Sequence, residues 1–189
     1  MRKLPLMFLL VAPALAGCED PLEPRPWSDE PTEAQLWSID RPELMGLPSA
    51  FDFTLGRSIV LEDPDASANW DVALTDTEDG LAFTPAGAFP DIDSEPAVAV
   101  ITGTSFEDLL EAPGDLDTYV RTEPVPLVAG GVYVVRSRRI GCSIFVGSGH
   151  MYSKLRVLEL NPDEGTVRFE FVTNLNCNDR SFVPPESDD

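Results

Sequence analysis

The sequence predicts a single, mostly β domain, either a sandwich or an incomplete barrel. Short runs rich in β-branched and aromatic residues are separated by clusters of Gly, Pro, Asp and Asn. Several runs alternate apolar and polar residues, as half-buried strands do. Many short strands with turn residues between them are typical of a two-layer β domain. The predicted strands are 50–55, 58–62, 70–74, 80–84, 97–102, 118–122, 131–139, 154–160 and 166–173.

One segment, SFEDLLEAP over 105–113, predicts a short helix. Ser105 is able to cap its first turn, and Asp108 stands three positions later in the manner of a capping box. Pro113 then stops the helix, because proline cannot continue the hydrogen-bond pattern.

The last three predicted strands form an antiparallel meander. In the closing strand Val167, Phe169 and Phe171 alternate with charged residues, which predicts one buried face and one wet face. The turn NPDEG joins this strand to the one before it. Because the chain runs up, down and up, the ends of the first and third strands of the meander meet at the same rim of the domain.

The first seventeen residues predict a secretory signal that is not part of the folded domain. Two basic residues precede an apolar stretch that is too short to span a membrane, since a spanning helix needs ~20 residues. The sequence Leu-Ala-Gly-Cys that ends at Cys18 resembles the lipobox of bacterial lipoproteins, in which the cysteine carries the lipid. We therefore expect Cys18 to be acylated and to anchor the protein in a membrane.

An acidic, proline-rich tether is predicted over 18–40, followed by the β domain over 41–182 and an acidic tail over 183–189. Glu19, and not aspartate, follows the lipidated cysteine, which favours an outer-membrane location facing either the periplasm or the cell surface. Loss of the signal removes two positive charges and moves the net charge from −20 to −22. This acidity argues against nucleic acid as a partner.

With Cys18 acylated, Cys142 and Cys177 are an even number of thiols in an oxidising compartment. Each follows an outer strand of the meander, so both are expected at the same rim. The sequence therefore predicts a Cys142–Cys177 disulfide. One histidine and the absence of paired-cysteine spacing argue against a zinc site.

Five short motifs, in this order, resemble the HmuY family of bacterial lipoproteins. They are FDFTLG (51–56), NWDVAL (69–74), GVYVVRS (131–137), GHMYSKLRVLEL (149–160) and GTVRFEFV (165–172). The resemblance implies a mostly β fold and an outer-membrane lipid anchor. The best-known members of that family capture haem from host haemoproteins and deliver it to a TonB-dependent receptor. The resemblance therefore also implies this function.

The haem ligands of that family are only partly matched. Haem-binding members use two axial histidine or methionine side chains from separate loops. The resemblance points to the turn that holds His150, Met151 and Tyr152 as the candidate ligand-binding residues. Neighbouring side chains on an extended chain point in opposite directions, so His150 and Met151 cannot coordinate one haem iron from the two sides of the haem. Met45 is the other methionine of the mature chain, and we expect His150 to be an exposed loop residue.

Two main functions remain open at this stage, and neither is enzymatic; a hydrolase built on Ser148 and His150 is a distant third. One is a HmuY-like envelope protein that captures haem or another small ligand for uptake. The other is a structural or protein-interaction lipoprotein without haem. Ser148 and His150 lie close in sequence, but adjacency in one loop does not make a catalytic site. Alternate oxygen-bearing side chains over 63–71 resemble a calcium loop only faintly, because the central glycine and closing glutamate are missing.

The Trp70–Asp71 pair is interpreted as a fold landmark. It occurs once, whereas a propeller would repeat it every ~40 residues. We expect Trp70 to pack in the core with Val72 and Leu74, and Asp71 to face the other way and to hydrogen-bond a neighbouring loop.

Overall fold

The computed structural model describes residues 24–63, 66, 69–143 and 146–185. Within these residues the fold is mostly β, as the sequence predicts, with three short 3-10 helices at Pro42–Leu44, Ala86–Ala88 and Leu116–Thr118. The strands are β1 Thr32–Trp37, β2 Ala50–Asp52, β3 Arg57–Ile59, β4 Val72–Thr77, β5 Gly80–Pro85, β6 Ala97–Ile101, β7 Val125–Pro126, β8 Val132–Arg136, β9 Ile140–Ser143, β10 Gly147–Gly149, β11 Tyr152–Asn161 and β12 Thr166–Asn174.

Two five-stranded antiparallel sheets form an open sandwich. The first sheet has the order β1-β12-β11-β8-β6, and the second has the order β3-β2-β4-β5-β7. The strands β9 and β10 form a separate two-stranded hairpin. Because neither sheet closes on itself, the fold is consistent with a sandwich.

The main core lies between the two sheets. Phe51, Phe83 and Phe169 are fully buried there, and their rings meet edge to face with centroids 5.3 to 5.5 Å apart. Alternate residues of each strand supply the rest of this layer, because side chains on a strand point to opposite faces in turn. The other large side chains of the layer are Leu36, Phe53, Val72, Leu74, Leu81, Val98, Val125, Leu127, Tyr133, Val135, Leu155, Val157, Val167 and Phe171.

The predicted meander is present: β8 pairs with β11, and β11 pairs with β12. Cys142 and Cys177 form the predicted disulfide, with their Cα atoms 5.9 Å apart. The bridge joins the β9–β10 hairpin to the segment after β12. In the chain-entropy description, closing a 35-residue loop stabilises the fold by roughly 4 kcal/mol.

The prediction of a helix over 105–113 is wrong, because only one turn forms there. The capping pair is present, with the amide of Asp108 bonded to the hydroxyl of Ser105 at 3.1 Å. The helix does not continue, because Lys154 Nζ donates to the carbonyls of Phe106 and Leu109 at 2.9 and 3.2 Å. Leu109 could not receive its helical bond in any case, since Pro113 has no N–H. The segment instead lies flat over the outer face of the first sheet.

The tether boundary predicted at residue 40 is also wrong. Residues 32–37 form β1, which pairs along its whole length with β12 at the edge of the first sheet. The sequence of β1 does not indicate a strand, because it is mostly polar and only Leu36 is buried in the core. The predicted strand over 118–122 reduces to a single bridge between Val98 and Val120.

Several expectations from the sequence lie outside the described residues. These are the signal over 1–17, the acylated Cys18 and the last residues of the tail, 186–189. In the described part of the chain, no helix is long and apolar enough to cross a membrane.

Candidate functional site

One end of the sandwich gathers loops from both sheets, and we call it the rim. There β2 and β12 end, β4 begins, and the chain passes from β8 to β11 through the disulfide-bridged hairpin. The rim consists of residues 53–56, 69–71, 86–96, 137–143, 146–151 and 175–181.

A buried ion cluster joins the two sheets at the rim. Arg138 follows β8 of the first sheet, and its guanidinium donates to both carboxylate oxygens of Asp52 on β2 of the second sheet, at 2.9 and 3.2 Å. The same guanidinium reaches Asp71 at 3.3 Å and the hydroxyl of Thr54 at 3.1 Å. Both carboxylates are completely buried. The two-pronged contact is the geometry in which arginine binds a carboxylate most strongly.

Asp71 also satisfies two backbone N–H groups. It accepts from the amide of Phe53 at 2.7 Å and from the amide of Arg138 at 2.8 Å. These amides belong to loops of opposite sheets, so one carboxylate fixes both. The expectation that Asp71 hydrogen-bonds a neighbouring loop is therefore confirmed, and two loops are held.

Trp70 does not lie where the sequence predicts. Val72 and Leu74 face the core between the sheets, whereas Trp70 packs on the outer face of the second sheet with Ala73. Its ring meets that of Phe89 edge to face at 5.4 Å. The regular alternation of β4 begins only at Val72, so alternation counted back to Trp70 gives the wrong face.

Burial and pairing act in opposite directions on the pKa values of Asp71 and Arg138. Loss of hydration raises the pKa of Asp71 to about 6, against the opposing effect of the Arg138 amide and guanidinium. Burial pulls the pKa of Arg138 down, but its hydrogen bond to Asp52 and the charges of both aspartates outweigh this and raise it. Arg138 is therefore a permanent cation.

An open cleft of about 530 Å³ lies beside the cluster, and its walls are mainly charged or polar. Glu95 lies at its edge, with a carboxylate oxygen 3.2 Å from Arg139 and 3.9 Å from His150 Nε2. The hydrogen bond from Arg139 lowers the pKa of Glu95. The residues that line the cleft are Asn69, Asp91, Ile92, Asp93, Ser94, Glu95, Arg138 and Arg139.

His150 is not the exposed loop residue that the sequence predicts. Its side chain is only 12% exposed, and Nδ1 lies 2.7 Å from the carbonyl of Ser137. A carbonyl only accepts hydrogen bonds, so Nδ1 carries the proton. Burial lowers the pKa of His150, which is therefore neutral near pH 7.

The candidate ligand residues do not converge on one site. Tyr152 is buried on the outer face of the first sheet, near the ring of Tyr119. Met151 precedes it in the chain and is also buried. His150 Nε2 faces the carboxylate of Glu95 and not an apolar pocket.

Met45 lies at the opposite end of the sandwich from His150. It comes four residues after Arg41, which bonds the carbonyl of Asp163 in the turn beyond β11. His150 precedes the first residue of β11, and a ten-residue strand is roughly 33 Å long. These residues therefore do not fit a haem held by two axial side chains.

The geometry around Ser148 gives it no activating base. Its hydroxyl lies 3.4 Å from Arg139 Nη1, while His150 Nδ1 is taken by Ser137. A nucleophilic serine needs a base within hydrogen-bond reach. Within the described residues, no group of three or more His, Cys, Asp or Glu is placed to hold a metal ion, and residues 64, 65, 67 and 68 of the faint calcium motif lie outside them.

The sequence interpretation missed Asp52 and Arg138. The available signal was a carboxylate inside an apolar run, AFDFTL, which a core strand tolerates only when the charge is paired. Asp71 in NWDVAL (69–74) is a similar carboxylate within an apolar run. Arg138 in RSRR (136–139) is the cation that pairs with both.

Comparison with known proteins adds no assignment. No protein-family model matches the chain, and no curated protein matches it.

The raised pKa of Asp71 makes the contribution of this residue to stability depend on pH. A carboxyl group that is harder to ionise in the folded state stabilises the fold fully below its unfolded pKa, near 4, and loses this contribution as the pH rises through 6. We expect the difference in unfolding free energy between wild type and Asp71→Ala to shrink by roughly 3 kcal/mol from pH 4 to pH 7. Denaturant unfolding at several pH values measures it. The exposed Glu164→Ala is the control, and a difference that grows with pH would contradict the assignment.

The separation of His150 from both methionines leads to an expectation for haem. Titration of the protein with haemin should give a broad band and no sharp Soret band, and the spectrum of His150→Ala should match that of wild type. A sharp band in wild type that is lost in His150→Ala would show that the ring ligates iron and that the fold rearranges to allow it.

Proposed function

We propose that this chain is a lipid-anchored envelope protein that binds a partner protein through its rim and carries out no catalysis. Of the two functions that the sequence leaves open, the protein-interaction function is the one that the geometry supports best. One observation carries it: loops of both sheets form a charged cleft beside the buried ion cluster that joins the sheets, and Arg138 belongs to both.

The rigidity of the rim supports binding. A surface whose backbone is already ordered loses little conformational entropy when a partner binds. Here Asp71 holds a loop from each sheet, and the disulfide holds the β9–β10 hairpin against the segment after β12. The exposed polar groups of the cleft are then presented in one arrangement.

The charges of the cleft favour a protein over an apolar ligand. Asp91 and Asp93 belong to one segment that lines the cleft, and Arg138 and Arg139 belong to another. A partner surface with the opposite arrangement of charges would gain specificity and a faster association rate from them. An apolar ring such as haem would have to displace water from these charges, which costs free energy.

The position of the N-terminal segment supports a partner in the same membrane. The amide of Arg25 donates to the side chain of Asn176 at 2.6 Å, which fixes the start of the described chain at the rim. Cys18 is seven residues earlier, so the proposed lipid lies within about 25 Å of this point. The resemblance to the HmuY family indicates the class of partner, a TonB-dependent receptor in the outer membrane.

Site-specific photo-crosslinking in intact cells tests this proposal. The full chain carries p-benzoylphenylalanine either at Asp93, in the cleft, or at Glu164, in the turn at the opposite end. Both positions are exposed, so the two variants differ mainly in location. We expect a discrete adduct in the membrane fraction from position 93 and none from position 164.

Two further variants separate the parts of the proposal. Arg139→Glu reverses a charge of the cleft and should reduce the adduct from position 93 at least several-fold. Cys18→Ser should release the chain from the membrane fraction and abolish the adduct. Equal adducts from both positions would contradict binding at the rim, and a Cys18→Ser chain that stays in the membrane fraction would contradict the lipid anchor.

A further inference from the structure

Arg136 is a buried cation that the cleft and the ion cluster do not use. It is the last residue of β8, and its side chain is directed to the outer face of the first sheet, as are Val132 and Val134 two and four residues before it. Only 8% of the residue is exposed. Its Nε is sealed from solvent and has no hydrogen-bond partner within the described residues. Nη2 makes one long contact, 3.4 Å to the carbonyl of Glu95.

The other arginines between positions 41 and 180 all have carboxylate partners. Each of them has a carboxylate oxygen within 4.0 Å, and Arg136 has none among the described residues. The contrast is sharpest with Arg138, two positions later and similarly buried, which contacts two aspartates. Several of these paired arginines are exposed, whereas Arg136 is buried and has no carboxylate partner among the described residues. The paired arginines are Arg41, Arg57, Arg121, Arg138, Arg139, Arg156, Arg168 and Arg180.

The surroundings of Arg136 do not supply a counter-charge. Its direct neighbours across the sheet are Ala97 on β6 and Tyr152 on β11, whose Cβ atoms lie about 5 Å away. The ring of Tyr119 lies above this row, 6.5 Å from that of Tyr152. A buried guanidinium without a counter-charge is unfavourable, so its retention points to an anion that neutralises it in use.

We propose that Arg136 is the centre of a binding site for a small carboxylate. A guanidinium offers parallel N–H groups that match the two oxygens of a carboxylate. One unpaired positive charge calls for a monoanion. The tyrosine rings beside Arg136 suit a flat, partly apolar ligand. This site lies on the outer face of the first sheet next to Glu95 of the rim, and its argument does not rest on the proposed binding of a protein there.

Thermal unfolding of the purified full chain tests the site, with acetate as the probe and chloride at the same ionic strength as the reference. We expect acetate to raise the Tm saturably, by roughly 5 °C when it is far above its Kd. Arg136→Met should abolish this rise and, in chloride, should be at least as stable as wild type because it removes a buried unpaired charge. Arg139→Met removes an exposed arginine, 58% accessible and paired with Glu95, and should keep the rise.

A second measurement on wild type keeps the test independent of how Arg136→Met folds. The Nε–H resonance of Arg136 should shift with acetate along the same saturation curve, while that of Arg168 should stay constant. A Tm rise that persists in Arg136→Met, an unmoved Arg136 resonance, or a response to phosphate and not to acetate would each overturn the carboxylate site.

Discussion

The contact of Arg138 with the buried carboxylates of Asp52 and Asp71 is the interaction on which the rim depends. Opposite charges in a dry environment attract strongly, but each has lost its water, so the removal of one partner leaves the others uncompensated. The two aspartates belong to the second sheet and the arginine to the first. Their pairing therefore fixes how the sheets meet at this end of the sandwich, which apolar packing alone would specify less sharply.

The ion cluster also determines where the cleft lies. The segment from Ser137 onward is held over β2 and β4 by the amide and guanidinium of Arg138, and the cleft opens beside it. The disulfide fixes the following hairpin, and Ser137 holds both the His150 ring and the Met151 amide. His150 and Met151, which the sequence offers as candidate ligand residues, are consequently part of the scaffold of the rim.

The β architecture could be predicted from the sequence because it rests on local patterns. The meander could be predicted from the alternation of Val167, Phe169 and Phe171 with charged residues. The disulfide could be predicted from the cysteine count and the position of each cysteine after a strand of the meander. The buried cluster could not be predicted in the same way, since Asp52 and Arg138 are 86 residues apart and meet only in the folded sandwich. Long-range pairing also explains β1, whose polar residues become a strand through β12.

The helix predicted over 105–113 failed for a comparable reason. Its capping pair is correct locally, but Lys154 on a distant strand takes the carbonyls that the helix would use. Similarly, His150 looked like an exposed loop residue because its partners, Ser137 and Asn178, lie 13 and 28 residues away. Local signals therefore locate strands in this chain, and contacts distant in sequence decide the chemistry of its rim.

Native-state hydrogen exchange of two amides tests the role of the cluster most directly. The N–H groups of Phe53 and Arg138 lie in loops, where amides ordinarily exchange through small local openings. Both donate to the buried carboxylate of Asp71, so their exchange requires the two sheets to separate at the rim. We expect both amides to exchange only with the global unfolding free energy, together with core amides of β11 and β12. Exchange of either amide at a free energy several kcal/mol lower would show that the rim opens independently and that the cluster does not hold the sheets together.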